Sequence, residues 1–196
     1  MAFKFKSDLI LENARVQLRP LSNTDHAFLL PFSLKEPDLW RYSLTSAAGE
    51  EKLENYLLAA LQLREEETGY PFLVYDKQKE KIAGSTRFYN INFHHKTLSI
   101  GYTWYGQEFQ RTGLNRHCKL LLLTHAFEVL EIERVEFRAD AKNARSITAM
   151  QGIGCTLEGT LRNDCASETG RRDSMVLSII KNEWQNIKKA LMAKIH

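Results

Sequence analysis

The chain has 196 residues, a length that suits one domain and can bury a core without a disulfide or metal staple. Its 43% hydrophobic, 10% aromatic and 26% charged residues, with 10 glycines and 4 prolines, exclude a disordered, collagen-like, solenoid or low-complexity chain. A net charge of +3 is too small to argue for a nucleic-acid partner.

Val16-Gln-Leu18-Arg-Pro20 alternates apolar and polar residues and stops at proline, which predicts a strand end. Asn23-Thr24-Asp25 offers N-cap chemistry for a short helix up to about Lys35, broken at Pro37. An aromatic-rich loop from Asp38 to Tyr42 follows. From about Gly49 to Glu67, the residues Leu53, Tyr56, Leu57, Ala60 and Leu61 fall on one helical face. Strands are expected at 72–75, 82–89 and 97–104, joined by short charged turns as an antiparallel meander.

The period then changes. Leu114, Leu121, Ala126, Phe127 and Leu130 fit a long buried helix from Gly113, followed by a strand at 134–139 and a helix from about Asn143 to Gln151. The span from Ser99 to Ala139 is long enough for a crossover between neighbouring parallel strands. Residues 156–162 and 174–180 are expected as a final strand pair around a polar loop, and Trp184, Ile187 and Leu191 mark a last amphipathic helix. With no repeat and no linker, the chain is expected to be a single α+β domain over 1–196, with a mixed, mostly antiparallel sheet flanked by helices.

Cys118, Cys155 and Cys165 form no C-x-x-C pair, so neither a disulfide framework nor a zinc site is indicated and no metal is expected. No stretch approaches 18 uninterrupted apolar residues, and the first residues lack an apolar signal core. A soluble, reduced, cytoplasmic protein with no membrane partner is expected. Lys181, Lys188, Lys189 and Lys194 make the last helix basic, which reads as a solvated face before it reads as a nucleic-acid arm.

The most informative segment runs from Trp104 to Asn115 and joins a strand directly to the start of the long helix. Free amides at a helix N-terminus, with glycine permitting close approach, make an anion site, and Arg111 and Arg116 add charge beside it. A single glycine without G-x-G-x-x-G or Walker spacing excludes a Rossmann or nucleotide-triphosphate loop.

Gln110-Arg111-Thr112-Gly113-Leu114-Asn115 resembles the [RQ]-x-x-G-x-[GA] pyrophosphate loop of the GNAT superfamily of N-acetyltransferases. Asn143-Ala-Arg-Ser146 with Gly154, then Glu158-Gly159-Thr-Leu-Arg162, Arg172-Asp173 and Glu183-Trp184, are similar to the ribosomal-protein-alanine acetyltransferase branch. The likeness covers roughly 14–191 in the family's order of elements. It departs at Asn115, where the family has glycine or alanine, and at His117, where the branch often has an acidic residue.

The resemblance implies acetyl-CoA as cosubstrate and direct attack of a primary amine, from a peptide N-terminus or a small molecule, in a ternary complex. A non-catalytic CoA-binding regulatory module is the alternative. Three tasks follow: removing a proton from the amine, donating to the developing oxyanion, and protonating the departing thiolate. Backbone amides near Trp104 and Tyr105 are the family-like oxyanion donors. For the acid the resemblance implies a tyrosine in the helix after the fifth strand or, in the similar branch, a serine; with no tyrosine between Asp140 and Glu168, Ser146 is the available hydroxyl, or else only a helix cap. Asn143 is expected to hold pantetheine or acceptor, or to be a plain N-cap. Among Glu158, Asp164 and Glu168, Glu158 is the first choice of base. Trp40, Tyr42 and Tyr89 are expected to line the acceptor pocket, core packing being the other use of such aromatics. Oligomeric state is left open, a homodimer included.

Overall fold

In the computed structural model, which describes residues 5–167 and 170–195, the alternating segments pair into one sheet of eight strands in the order β1-β2-β3-β4-β5-β6-β8-β7. The strands are β1 (Leu11–Glu12), β2 (Val16–Pro20), β3 (Tyr70–Asp76), β4 (Lys81–Asn92), β5 (Thr97–Tyr105), β6 (Arg134–Asp140), β7 (Thr156–Ser167) and β8 (Gly170–Ile180). The helices are α1 (His26–Lys35), α2 (Glu50–Glu65), α3 (Leu114–Thr124), α4 (Ala144–Gly152) and α5 (Lys181–Met192). Every strand pair is antiparallel except β5–β6, which the α3 crossover makes parallel, as the spacing from Ser99 to Ala139 allows.

Side-chain alternation sorts the core into two layers. Phe72, Val74, Ile100 and Tyr105 face α3, with Leu114, Cys118 and Leu122 packed against them. Leu73 and Trp104, on the opposite parity, face α1 and α2, where Leu29, Leu53, Tyr56 and Leu57 cover them. The sheet is therefore flanked on both faces. No helix among the described residues is long and apolar enough to cross a membrane.

Two segments differ from the sequence reading. The long helix stops being α-helical at Thr124 and continues as a π turn over His125–Val129, closed by the Leu130 N–H donating to the His125 carbonyl at 3.0 Å. The wider turn keeps His125, Ala126 and Phe127 buried in succession, with Phe127 stacked on Trp184 at 5.3 Å. A 3.6-residue period would turn one of the three outward.

The expected polar loop between the last two strands is largely zipped into the β7–β8 hairpin. Its polar residues bond across the ladder instead of burying apolar surface. The Asn163 N–H donates to Asp173 Oδ1 at 2.7 Å, and Arg171 Nε donates to Asn163 Oδ1 at 2.8 Å.

The sheet is interrupted between β5 and β6. Their pairing is confined to Thr97, Leu98 and Ser99 opposite Arg134, Val135 and Glu136. Beyond Ser99, β5 stays with β4 as far as Tyr105 and β6 stays with β8 as far as Asp140, so the two strands diverge. A bulge sits on this stretch of β5. Ser85 lies opposite Trp104 and Arg87 opposite Gly101, so Tyr102 and Thr103 together face Thr86, and Tyr102 takes a left-handed φ of 49°. The sheet is split where the sequence reading places oxyanion donors.

Candidate active site

The wall of the split is built by backbone. The Gly106 amide donates to the Ala83 carbonyl at 3.0 Å. Because hydrogen-bonding direction alternates along an antiparallel pair, the N–H and C=O of Tyr105 point away from β4, toward the gap. The Tyr105 carbonyl accepts there from Gln110 Nε2 at 2.9 Å. The Trp104 carbonyl instead faces β4, against Gly84. Of the two expected donors, alternation directs the Tyr105 amide into the opening.

The chain then turns onto α3. Gly106 packs so tightly on Phe32 that a Cβ would lie 2.3 Å from its ring, and a 3-10 turn over Gln107–Phe109 follows. Gly113 is the N-cap of α3 in the left-handed region at φ 87°, and a Cβ there would meet nothing within 4 Å. Thr112 Oγ1 donates to the Phe109 carbonyl at 2.7 Å and accepts from the Leu114 N–H at 3.4 Å. The amides of Arg111, Thr112 and Gly113 have no hydrogen bond among the described residues. Unpaired amides and an open glycine thus stand at the positive end of a helix dipole, a setting that favours an anion.

Asn115 is not in the way. Its Oδ1 accepts from the buried Tyr105 hydroxyl at 3.2 Å, which turns the side chain inward, and Leu114 is core. Beside the loop lies a cavity of about 360 Å³ lined by Asp38, Leu39, Gln107, Gln110, Arg111 and Arg145. Arg145 Nη1 donates to Gln110 Oε1 at 2.7 Å, tying the first turn of α4 to the loop. The sequence reading did not single out Arg145, which sits inside the Asn143–Ser146 motif and could have been found there.

The structure separates the two readings of α4. Asn143 is the N-cap, its Oδ1 accepting from the Ser146 N–H at 3.1 Å. Ser146 is therefore not the cap; it is half-buried, and its hydroxyl has no hydrogen bond among the described residues.

Two expectations are corrected. Glu158 does not present a free carboxylate: Arg134 grips both of its oxygens, and the Ser178 hydroxyl donates to Oε1 at 2.7 Å. The Arg134 hydrogen bonds pull its pKa from 4.5 to about 2, so it has little appetite for a proton at neutral pH. Arg134 pairs with Thr97, at the closed end of the split.

Trp40 is a core residue. It is 1% exposed and packs edge-on against Trp104 at 4.9 Å, inside the α1–α2 core.

The remaining candidates stand as follows. Tyr89 is half-buried with its ring edge-to-face on Tyr102 at 5.2 Å, and burial raises its hydroxyl pKa. Tyr42 is half-buried, and its carbonyl accepts from Arg172 Nη1 at 3.5 Å. Asp164 lies 3.9 Å from Arg138, and Glu168 lies outside the described residues. His117 sits by Asn13, at 3.3 Å.

The structure adds a buried cation that no spacing announced. Lys119 on α3 donates to Thr103 Oγ1 at 2.9 Å, and burial pushes its pKa down to about 8. None of the Cys, His, Asp and Glu side chains among the described residues form a group that could hold a metal.

Glu158→Gln tests the structural role directly. A folded-state pKa below the unfolded one means the carboxylate stabilises the fold above about pH 4.5 and loses that contribution as the pH falls toward 2. Urea unfolding should show the variant weaker than the parent at pH 7, with the difference shrinking at pH 3. Catalytic turnover at pH 7 should change by less than ~3-fold, where loss of a general base removes ~10²-fold or more.

Residues 15–156 match the family described as "Acetyltransferase (GNAT) domain". Over 116 residues the chain is 30% identical to the Bacillus subtilis (strain 168) protein named "Putative ribosomal N-acetyltransferase YdaF". That match spans 59% of this chain and 61% of the relative's length. Among solved structures, a "putative acetyltransferase" from T. thermophilus is 30% identical, with 100% of each chain covered and a TM-score of 0.87. A GCN5-related N-acetyltransferase from Brucella melitensis, at 24% identity, shares the fold with a TM-score of 0.88 over 97% of this chain and 86% of that one.

Proposed function

The chain belongs to the GNAT acetyltransferase family, and we propose that it moves the acetyl group of acetyl-CoA to a primary amine by direct attack in a ternary complex. The observation that carries this reading is the split between β5 and β6, which opens beside the unpaired amides before α3. The pyrophosphate would lie on the amides of Arg111, Thr112 and Gly113, with Arg145 and Gln110 alongside. The pantetheine arm would enter the split, and Asn143, which caps α4 just past β6, keeps a side-chain nitrogen with no partner among the described residues.

The chemistry is then divided among few groups. The Tyr105 amide donates to the carbonyl oxygen as negative charge develops on it. The Ser146 hydroxyl, with no partner among the described residues, hydrogen-bonds the departing thiolate and relays to it a proton taken up from water. With Glu158 tied to Arg134, no strong base is left in the proposed machinery, so the amine must lose its proton to water.

This makes acceptor basicity decisive. An α-amine titrates near ~7.7–8 and a lysine near ~10.4, so presenting neutral lysine at pH 7 costs about 3.4 kcal/mol more. An α-amine is the easier acceptor. The word "ribosomal" in the name of the Bacillus relative supports a protein N-terminus. Cys118, Cys155 and Cys165 are all free, which suits action in the cytoplasm as a single catalytic domain.

Thiol release from acetyl-CoA tests this with matched peptides, one offering only its α-amine and the other only a lysine side chain. The α-amine peptide should react up to ~10²-fold faster at pH 7, less whatever the greater nucleophilicity of lysine recovers, and the bias should narrow at pH 8.5. A lysine preference at pH 7 reverses the choice of acceptor. CoA binding with no turnover on any amine reduces the protein to a binding module.

A further inference from the structure

Arg87 lies in the middle of β4 with 2% of its surface exposed, and its Nε and Nη2 are buried with no hydrogen-bond partner. No carboxylate among the described residues pairs with it. Its neighbours are two aromatic rings, with the guanidinium carbon 4.0 Å from the Tyr102 centroid and 4.7 Å from that of Tyr56. Such contacts offset part of the desolvation of a cation, but a ring accepts no ordinary hydrogen bond. The N–H edge of a planar, permanently charged donor is left unused.

The internal acids near the split are committed elsewhere. Glu136 is ion-paired with Arg134 at 3.1 Å and Arg138 at 2.7 Å. Asp140 Oδ1 accepts from the Lys142 N–H at 2.8 Å. A buried cation with no acceptor among the described residues points to a ligand that answers it.

Its position says which ligand. Phe88 belongs to the α3 layer, so Arg87 points to the other face, where Tyr56 of α2 meets it. The cofactor phosphates are thereby excluded, because their amides precede α3 beyond Tyr105. Arg87 pairs with Gly101, just past the last β5–β6 contact and next to the bulge at Tyr102. Tyr89 and Tyr102, both half-buried, rim this spot. Gly101 lets the Tyr89 ring lie over it, since a Cβ would stand 2.8 Å from that ring and displace it. Gly84, opposite Tyr105, lies three residues from Arg87 along β4, which is roughly 10 Å. One residue plus a long side chain covers that span.

We propose that Arg87 is an anion-recognition residue of the acceptor subsite, and that the acceptor is an amine carrying a carboxylate within about one residue of the reacting nitrogen. The amine half of this statement rests on the acetyl-transfer reading; the carboxylate half rests on Arg87. A guanidinium edge and a carboxylate form two parallel charge-assisted hydrogen bonds, and a site built for that pairing rejects the neutral isostere.

The test uses CoA-loaded protein and three peptides: Ala-Glu-Ala amide, Ala-Gln-Ala amide, and Ala-Gln-Ala with a free carboxyl end. Calorimetric titration should show the glutamate peptide binding at least ~10-fold tighter than its glutamine twin. The third peptide distinguishes a terminal from a side-chain carboxylate. In Arg87→Gln the preference should collapse to less than 3-fold, and Arg87→Lys should keep an intermediate value, as the charge remains and the fork is lost.

The same ratios should appear in kcat/KM when thiol release is followed. Melting curves establish that both variants fold, and the unsubstituted protein decides the carboxylate preference without them. Equal affinity for all three peptides, or an undiminished preference in Arg87→Gln, overturns the inference. A preference without turnover removes the transfer reading and leaves this one standing. Turnover without a preference does the reverse.

Discussion

Gly113→Val should lower the affinity for CoA by ~10²-fold or more, through loss of two or three hydrogen bonds to a charged group at ~1.5–3 kcal/mol each. A β-branched residue is strained at φ 87°, where Gly113 caps α3, and the loop must give way to relieve it. A Cβ there meets nothing within 4 Å beyond its own chain neighbours, so the side chain would extend into the open space beside the loop that an anion would use. The fold loses only the backbone strain, ~1–3 kcal/mol, because no packed neighbour is displaced.

Binding and folding therefore separate in one experiment. The unsubstituted protein gains ~2.7 kcal/mol of stability at 100-fold excess of CoA over its dissociation constant, read as a rise in melting temperature. The variant should melt as a single cooperative transition and show no such rise at that concentration. Normal CoA binding by the variant would place the phosphate site elsewhere and withdraw the reading of Gln110–Asn115.

The strand-to-helix turn from Trp104 to Asn115 was legible because its signals are local: a glycine before a helical period, arginines beside it, and a strand immediately upstream. The same holds for the strands and helices, whose periods of 2 and 3.6 survive in Val16–Pro20 and in Leu53–Leu61. What the sequence hid is set by partners far along the chain. Glu158 reads as a solvated or catalytic carboxylate until β6 and β8 bring Arg134 and Ser178 against it. Trp40 reads as a pocket aromatic until α1, α2 and Trp104 close around it. Arg87 is one polar residue in Ser85-Thr-Arg-Phe88, and only the sheet's two faces distinguish it from Thr86. The bulge at Tyr102 has no marker at all: its φ of 49° falls on a tyrosine, where a glycine would have signalled it. The split in the sheet follows from pairing that stops at Ser99, and no residue type marks that either.

Ser146→Ala should reduce turnover ~10²-fold or more while the Michaelis constant for acetyl-CoA barely moves, because the hydroxyl acts only as the thiolate departs. The structure removes the competing explanation that the sequence left open. A Ser146 that capped α4 would cost ~0.5–2 kcal/mol of stability when truncated. Asn143 holds that position, however, and its Oδ1 bonds the backbone amide of residue 146, which alanine keeps. The melting temperature should therefore stay within about a degree of the parent, alanine being the better helix former. Asn143→Ala is the complementary control. It should lose stability by the capping amount and lower turnover less, unless its side chain also holds the pantetheine arm, in which case the Michaelis constant for acetyl-CoA rises with it. A thioester with a more acidic leaving thiol sharpens the test, since a better leaving group needs less protonation and should recover part of the loss in Ser146→Ala but none of the loss in Asn143→Ala. Full turnover in Ser146→Ala with natural acetyl-CoA would leave the thiolate to solvent and remove Ser146 from the chemistry.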